Sequence, residues 1–264
     1  MVRLDVLLAE RGLVESRSRA QALVLAGRVR VDDQVVTKAG SNVGSDARLD
    51  VDLGPPFVSR GGTKLAAALA AFAIDPSGER CLDVGASTGG FTDCLLQAGA
   101  LEVCAVDVGR GQLHERLRQD ERVTIVDGVN ARSLAPSMLP FAATLATIDV
   151  SFISLSLVLP AVVPCLAAPW RCLPLVKPQF EAGRGQAPGG VVRDPVVRRA
   201  ALERVVSVVA ELGAVTLDAC SSGLPGPAGN REFFLHVVSQ DHPDAANPPR
   251  DLDSRLDRAV DASA

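Results

Sequence analysis

Apolar and polar positions along this chain alternate between helical and strand spacing, and punctuation residues mark where one gives way to the other. The N-terminal stretch predicts a short amphipathic helix over 3–10, stopped by Gly12. Ser16 caps a second helix over 17–26, which Gly27 ends. Short strands follow at 28–31, at 35–36 after a turn at Asp32-Asp33, and near 48–53. Beyond Gly54-Pro55-Pro56, a stiff linker, a helix is expected over 63–72 with Thr63 or Ser59 as its cap. A strand from Arg80 and a helix from Phe91 to the stop at Gly99 come next. The pattern then predicts strand 101–106, helix 110–119, strands 122–126 and 144–148, helix 154–167, strand 171–176, helix 195–212 and strands 214–219 and 231–238. Asp194 before Pro195 is a strong start for the long helix, and Gly213 is its stop. Such alternation predicts the α/β class with a parallel, Rossmann-like, doubly wound sheet. The tail from Asp251 reads as a short, exposed amphipathic helix after a proline-bearing linker.

At 264 residues the chain can hold a large domain and a small one, and 47% hydrophobic with 22% charged residues describes an ordinary globular protein. The net charge of −4 means that a nucleic-acid partner needs local basic patches. The N-terminal module supplies one. Arg3, Arg11, Arg17 and Arg19 lie on its helices and Arg28 and Arg30 on its first strand, so that face can lie against phosphates; a merely solvated charged face is the alternative. The six cysteines show neither C-x-x-C nor zinc spacing, and Cys81 and Cys104 fall in apolar strands, which fits buried free thiols in a reducing cytosol. The first five residues are too charged for a secretory signal. The three histidines (114, 236 and 242) are scattered, so no metal is implied. Arginine supplies nearly all the positive charge. The only lysines are Lys38, Lys64 and Lys177, which hints that an amine able to lose its proton is required at some of them.

The strand-to-helix turn Arg80-Cys-Leu-Asp-Val-Gly-Ala-Ser-Thr-Gly-Gly-Phe91 forms a nucleotide-sized cradle, because bare backbone lets a ligand approach the amides. Its Asp-x-Gly-x-x-x-Gly-Gly spacing is not the pyrophosphate fingerprint, and Asp83 would repel phosphate. A cationic ligand such as S-adenosylmethionine suits it. Asp107 ends the next strand about 20 residues on, where a ribose diol would be gripped. Asp83, Gly85, Ser87, Gly89 and Gly90 would then form the methionine side.

Across 133–170 the one charged side chain is Asp149, at the C-terminal end of a buried strand, where open α/β sheets place ligand chemistry. Lys177 ends the next strand, with Pro178 fixing its backbone, and Glu232 is the acid entering the last apolar strand. Lys64 in the first turn of its helix is an awkward cation, since that helix end is positive. Lys64, Asp149, Lys177 and Glu232 are expected to converge above the cofactor edge of the sheet. A free amine at Lys177 could accept the proton of an attacking hydroxyl; a charged one would steer it instead.

These residues carry a resemblance. Lysine, aspartate, lysine and glutamate in this order resemble the catalytic tetrad of FtsJ-like ribose 2′-O-methyltransferases. Arg-x-x-x-Leu-x-x-x-Arg-Gly-Leu with Ser-Arg-x-x-Ala, from Arg3 to Ala20, resembles the S4 RNA-binding fold. Together with Val-Ser-Arg-Gly-Gly-Thr-Lys-Leu, Asp-Val-Gly-Ala-Ser-Thr-Gly-Gly-Phe-Thr, Asp-Val-Ser-Phe-Ile-Ser-Leu and Val-Lys-Pro-Gln-Phe-Glu, the whole is similar to the TlyA family, often labelled hemolysin A. The resemblance implies methylation of cytidine in 16S and 23S rRNA by S-adenosylmethionine and a link to susceptibility to capreomycin and viomycin. It implies an S4-like domain over 1–53, a linker over 54–58, a class I methyltransferase domain over 59–242 and a C-terminal extension over 243–264. It also places Asp127 and Gly128 at the adenine. Arg60 and Arg184 would join the N-terminal arginines on ribosomal RNA, and a monomer without a stable protein partner is expected. Two rivals stand beside it. A membrane-active hemolysin would draw on the nearly uncharged run 133–170, although five prolines and Asp149 interrupt that run. The other is a non-catalytic protein that binds both the cofactor and RNA.

Overall fold

A computed structural model of the chain describes residues 1–183 and 185–262. Its contacts divide the chain into two units, Met1–Pro56 and Phe57–Ala264. Arg184, expected on RNA, lies outside the described residues.

The first unit comprises β1 (Val2–Arg3), α1 (Leu4–Glu10), α2 (Arg17–Leu25), β2 (Val29–Val31), β3 (Gln34–Val35), β4 (Asn42–Val43) and β5 (Leu49–Val51). Ser16 accepts a hydrogen bond from the Arg19 amide and so starts α2. Leu4, Leu7, Leu8, Leu23 and Val24 face inward and meet Val29 from the sheet. Asp5 is buried with them. Its carboxylate accepts bonds from Arg3 Nε and Nη2, Gln21 Nε2 and Arg17 Nη2 at 2.7–3.3 Å. The Arg3 guanidinium, then Gln21, hold it well below the usual carboxylate range.

In the second unit the helices are α3 (Arg60–Ala71), α4 (Gly90–Gln97), α5 (Glu115–Arg118), α6 (Leu155–Val162), α7 (Pro178–Glu181), α8 (Pro195–Glu211) and α9 (Leu252–Asp261). The strands are β6 (Arg80–Val84), β7 (Glu102–Asp107), β8 (Val123–Asp127), β9 (Ala143–Ile148), β10 (Leu166–Val176), β11 (Ala214–Ser221) and β12 (Phe233–Ser239). They form one sheet in the order β11-β12-β10-β9-β6-β7-β8. Successive side chains along each strand face opposite layers. Leu82, Val84, Ile148 and Val176 pack with α6, α8 and α9, whereas Cys81, Val103, Leu145 and Leu173 pack with α3 and α4.

Four expectations need correction. The sheet is not wholly parallel: β12 runs antiparallel to both β10 and β11. A parallel return needs a crossover of a dozen or more residues, usually helical, and the segment 222–232 holds no helix and is broken by Gly223, Pro225, Pro227 and Gly229. The helix expected over 110–119 shrinks to α5, because Gly111 takes φ +67° and its amide donates to Asp127 Oδ2 at 2.8 Å. The helix expected to 167 gives way at Pro164 to a short 3-10 turn, and β10 begins already at Leu166. The C-terminal helix is not exposed. Leu256, Ala259 and Val260 join the core, while Arg255 pairs with Asp218 at 2.9 Å and Arg199 with Asp253 and Asp257.

Five of the cysteines are buried and Cys220 is half-buried. Burial pushes the Cys94, Cys104 and Cys172 thiols up to about 12, so they are inert rather than reactive.

Candidate active site

The reversed direction of β12 is what assembles the site. Lys177 follows the C-terminal end of β10, and the register pairs Val176 with Phe233, the first residue of β12. Glu232 therefore arrives beside Lys177's end of the sheet. A parallel β12 would start at the opposite edge and carry Glu232 away with it. Asp149 follows β9, and its amide donates to the Val84 carbonyl at 2.8 Å, which draws it against the turn after β6.

Two ion pairs result. Lys64 Nζ donates to Glu232 Oε2 at 2.6 Å, and both side chains are buried. Lys177 Nζ lies 2.7 Å from Asp149 Oδ1 and donates to Ser151 Oγ at 2.9 Å. All four charged residues line one cavity of about 290 Å³, together with Ser59, Arg60 and the glycine turn. Each amine thus faces one carboxylate, which holds it in place while it presents donors to a polar substrate. Lys64 stands in the second turn of α3, not the first as expected, because the helix starts at Arg60 with Ser59 accepting from the Gly61 amide. Its misfit with the helix end is correspondingly smaller, and Glu232 explains its burial.

A larger cavity of about 940 Å³ adjoins the first, and Gly85, Ser87, Asp149 and Ser151 belong to both walls. Asp107 lines the larger one. Its Oδ2 accepts from the Ser87 amide at 2.8 Å and its Oδ1 from the Gly109 amide at 2.6 Å. Each carboxylate oxygen keeps a further lone pair for a hydroxyl of a ligand. Gln179 Oε1, also on this wall, is buried without a hydrogen-bond partner, as an acceptor awaiting a donor would be. Phe152 stands at the wall 91% exposed, in the left-handed region at φ +63°, with its ring 5.2 Å from that of Phe180. The turn that carries it is anchored by Glu181, whose carboxylate accepts from Ser154 Oγ at 2.5 Å and the Leu155 amide at 2.8 Å. Burial raises the Glu181 carboxyl, and those two bonds oppose the rise.

Not every expected residue reaches a wall. Gly85, Ser87 and Gly90 do. Asp83 does not: it is fully buried beneath the turn, accepting from Thr92 Oγ1 at 2.7 Å and Thr147 Oγ1 at 3.2 Å. Gly89 backs the turn where a Cβ would strike Leu117 and Leu113. Asp127 caps the Gly111 loop, and Gly128 lies under the Arg110 guanidinium. The described wall at that end consists instead of Val129, Asn130 and Arg132. Val129 to Arg132 directly follow the expected pair, so the wall lies one to four residues beyond Gly128. Phe152 and Gln179 were overlooked, although each sits inside a motif already singled out, beside Asp149 and Lys177.

Among the N-terminal arginines, Arg3 and Arg17 hold Asp5, while Arg11 donates to the Ala47 and Ser45 carbonyls. Arg3 and Arg17 nevertheless keep half of their side-chain surface in solvent. Arg30 donates to the Asp33 carbonyl, and among the described residues Arg19 and Arg28 have no acidic partner within 4 Å. Arg60 lines the smaller cavity.

A seven-stranded sheet with helices on both faces and a glycine turn at its C-terminal edge is the doubly wound architecture that binds nucleotide-type ligands at that edge. The comparisons make this specific. Residues 57–238 match the FtsJ-like methyltransferase family and residues 2–49 the S4 domain. The 16S/23S rRNA (cytidine-2′-O)-methyltransferase TlyA of Mycobacterium tuberculosis is 46% identical over 261 residues, 98% of this chain and 97% of that one. YqxC of Bacillus subtilis is 45% identical over 238 residues, 89% of this chain and 85% of its own. A solved structure from Streptococcus thermophilus, described as a hemolysin, superposes with a TM-score of 0.74 at 38% identity, covering 99% of this chain and 94% of that one. The chain belongs to the FtsJ-like methyltransferases and, within them, to the TlyA family.

Proposed function

We propose that this protein transfers the methyl group of S-adenosylmethionine to the ribose 2′-hydroxyl of a cytidine in ribosomal RNA. The observation that supports this most is the meeting of Lys64–Glu232 and Lys177–Asp149 on one small cavity that opens beside a nucleotide-sized one. The larger cavity fits the cofactor: Asp107 offers acceptors for a ribose diol, Gly85 and Ser87 line the wall shared with the smaller cavity, and Gln179 Oε1 offers a buried acceptor. S-adenosylmethionine would supply there an electrophilic methyl on a positively charged sulfur.

The rest falls to side chains of this chain. Asp149 holds the Lys177 amine at the junction of the cavities, and Ser151 fixes it from a second side. Lys177 Nζ, present as a free amine, would receive the proton that the 2′-hydroxyl releases as its oxygen takes the methyl group from the sulfur. Lys64, locked by Glu232 on the same cavity, orients the sugar. Positioning a weak nucleophile in line is worth several orders of magnitude by itself. Phe152, bare and held by Phe180, offers a face on which a base taken out of its stack can rest. The exposed arginines of the S4 unit, with Arg60, would meet RNA phosphates.

The rival membrane reading has no support in the fold. Among the described residues no helix is long and apolar enough to cross a membrane, and the nearly uncharged run 133–170 contributes β9, α6 and the start of β10. The test uses tritiated S-adenosylmethionine with 30S and 50S subunits from a strain lacking the activity, followed by alkaline hydrolysis. A methylated 2′-oxygen cannot attack its phosphodiester, so label is expected in alkali-stable dinucleotides beginning with cytidine. Label in mononucleotides, or none, would refute the proposal.

A further inference from the structure

Beside the smaller cavity, a chain of hydrogen bonds brings together arginines that are distant in sequence. Asn230 is buried, 2% exposed. Its Oδ1 accepts from the Val192 amide at 2.9 Å and its Nδ2 donates to the Gly190 carbonyl at 2.8 Å. The Val192 carbonyl accepts from Arg198 Nε at 3.2 Å. Arg231 follows Asn230 directly and precedes Glu232, which lines the cavity. Arg198 is thus tied through Val192 to Asn230, the residue that immediately precedes Arg231. Burial, and next the positive charge of Arg231, lower the Arg198 pKa, while Asp194 raises it. That acid already caps α8 through the Val196 amide at 2.8 Å. Among the described residues neither Arg198 nor Arg231 has a carboxylate within 4 Å, although most other arginines of this unit do. Two half-buried like charges in one neighbourhood, with Asp194 already engaged as a helix cap, repel each other unless an anion meets them.

We propose that Arg198 and Arg231 form a clamp for a phosphodiester of the RNA backbone next to the nucleotide whose ribose enters the smaller cavity. This rests on the RNA-methyltransferase reading and adds to it a binding site outside the S4 unit. Guanidinium forks match the two free oxygens of a phosphodiester. Asn230 is then a positioning residue, because it sets the spacing of the two arginines and of the loop leading into Glu232.

The test is equilibrium binding of a 23S rRNA transcript at 50–200 mM salt, comparing wild type with R231Q and with R198Q/R231Q. R231Q removes a side chain with no described partner, so it keeps the test valid if the double variant fails to fold. Each phosphate contact contributes about 0.7 to the slope of log affinity against log salt for single-stranded sites. The slope should fall by about 0.7 in R231Q and about 1.4 in the double variant. Cofactor affinity, read by titration calorimetry, should stay at the wild-type value, and R231K should restore the slope. An unchanged slope in both variants overturns the clamp, and so does parallel loss of cofactor affinity. If inorganic phosphate at matched ionic strength abolishes the difference between wild type and variants, the pair is a free-anion site and the backbone clamp is overturned. Wild type that binds the transcript but transfers no methyl group would sink the enzymatic reading while leaving the slope comparison decisive.

Discussion

A Cβ placed on Gly85 would lie 2.5 Å from the carbonyl oxygen of Asp149, so the glycine turn and the acid of the Lys177 pair are in backbone contact. Gly85 also takes φ +86°, a conformation that L side chains rarely adopt. Replacing it with alanine should push the Asp149 segment away from the turn. G85A is expected to lose roughly 1–3 kcal/mol of stability from backbone strain alone and to bind cofactor weakly. Thermal melting with and without S-adenosylmethionine checks this: the variant should melt lower and lose the cofactor-induced rise.

Lys64 and Glu232 are buried together, and breaking such a pair strands a charge. K64M and E232L should each lose about 3–5 kcal/mol, while K64M/E232L should recover most of that loss. The double variant should still lack turnover, because the orienting amine is gone. Urea denaturation and a methyl-transfer assay separate the two effects. A double variant that folds and turns over normally would remove this pair from the chemistry.

Phe152 has almost nothing to lose in stability, being 91% exposed. F152A should therefore melt like wild type. If the ring carries a base, its loss should weaken rRNA binding by about 1–3 kcal/mol. The effect belongs in KM for ribosomal subunits; because Phe152 also stands at the wall of the cofactor cavity, a loss confined to cofactor affinity would assign the ring to the cofactor instead.

Asp83 gives a pH signature of its own. Burial pushes its carboxyl up to about 7; the Thr92 bond opposes this and the nearby Asp149 charge adds to it. An unfolded aspartate titrates near 3.9. Between these values the folded chain keeps a proton that the unfolded chain releases. The contribution is therefore full below about 4 and is lost as pH rises to about 7. His236, lowered by burial to about 4, acts in the opposite direction over much of the same window. The informative quantity is the difference between D83N and wild type. Denaturant unfolding from pH 4 to 8 should show D83N gaining on wild type as pH rises and levelling off above about 7. A constant difference would mean that Asp83 is ionised throughout.

Much of this architecture was legible because the relevant signals are local. Ser16 and Asp194 cap the helices expected of them, and the apolar strands lie where periodicity places them. The four charged residues of the smaller cavity stood out for a similar reason, as ionisable groups at the ends of apolar strands or on a helix with few other lysines. What escaped was non-local. No periodicity reveals that β12 is antiparallel, yet only that direction brings Glu232 to the Lys177 edge. Asp83 looked like a ligand group because the strand end was clear, but whether its side chain pointed to the cavity or to Thr92 and Thr147 depended on the packing of α4 and β9. The exposure of Phe152 likewise follows from a positive φ that no residue type announces.

The account turns on Lys177 as the atom that takes the hydroxyl proton, and the most direct test is the single-turnover rate of K177R on 50S and 30S subunits with saturating cofactor. Arginine can still pair with Asp149, but it is always protonated and so cannot take up the hydroxyl proton. The rate is expected to fall by about 10²–10⁴-fold, with cofactor affinity close to wild type. A K177R enzyme that transfers methyl at the wild-type rate would contradict the proposed role of Lys177 and leave only positioning at that site.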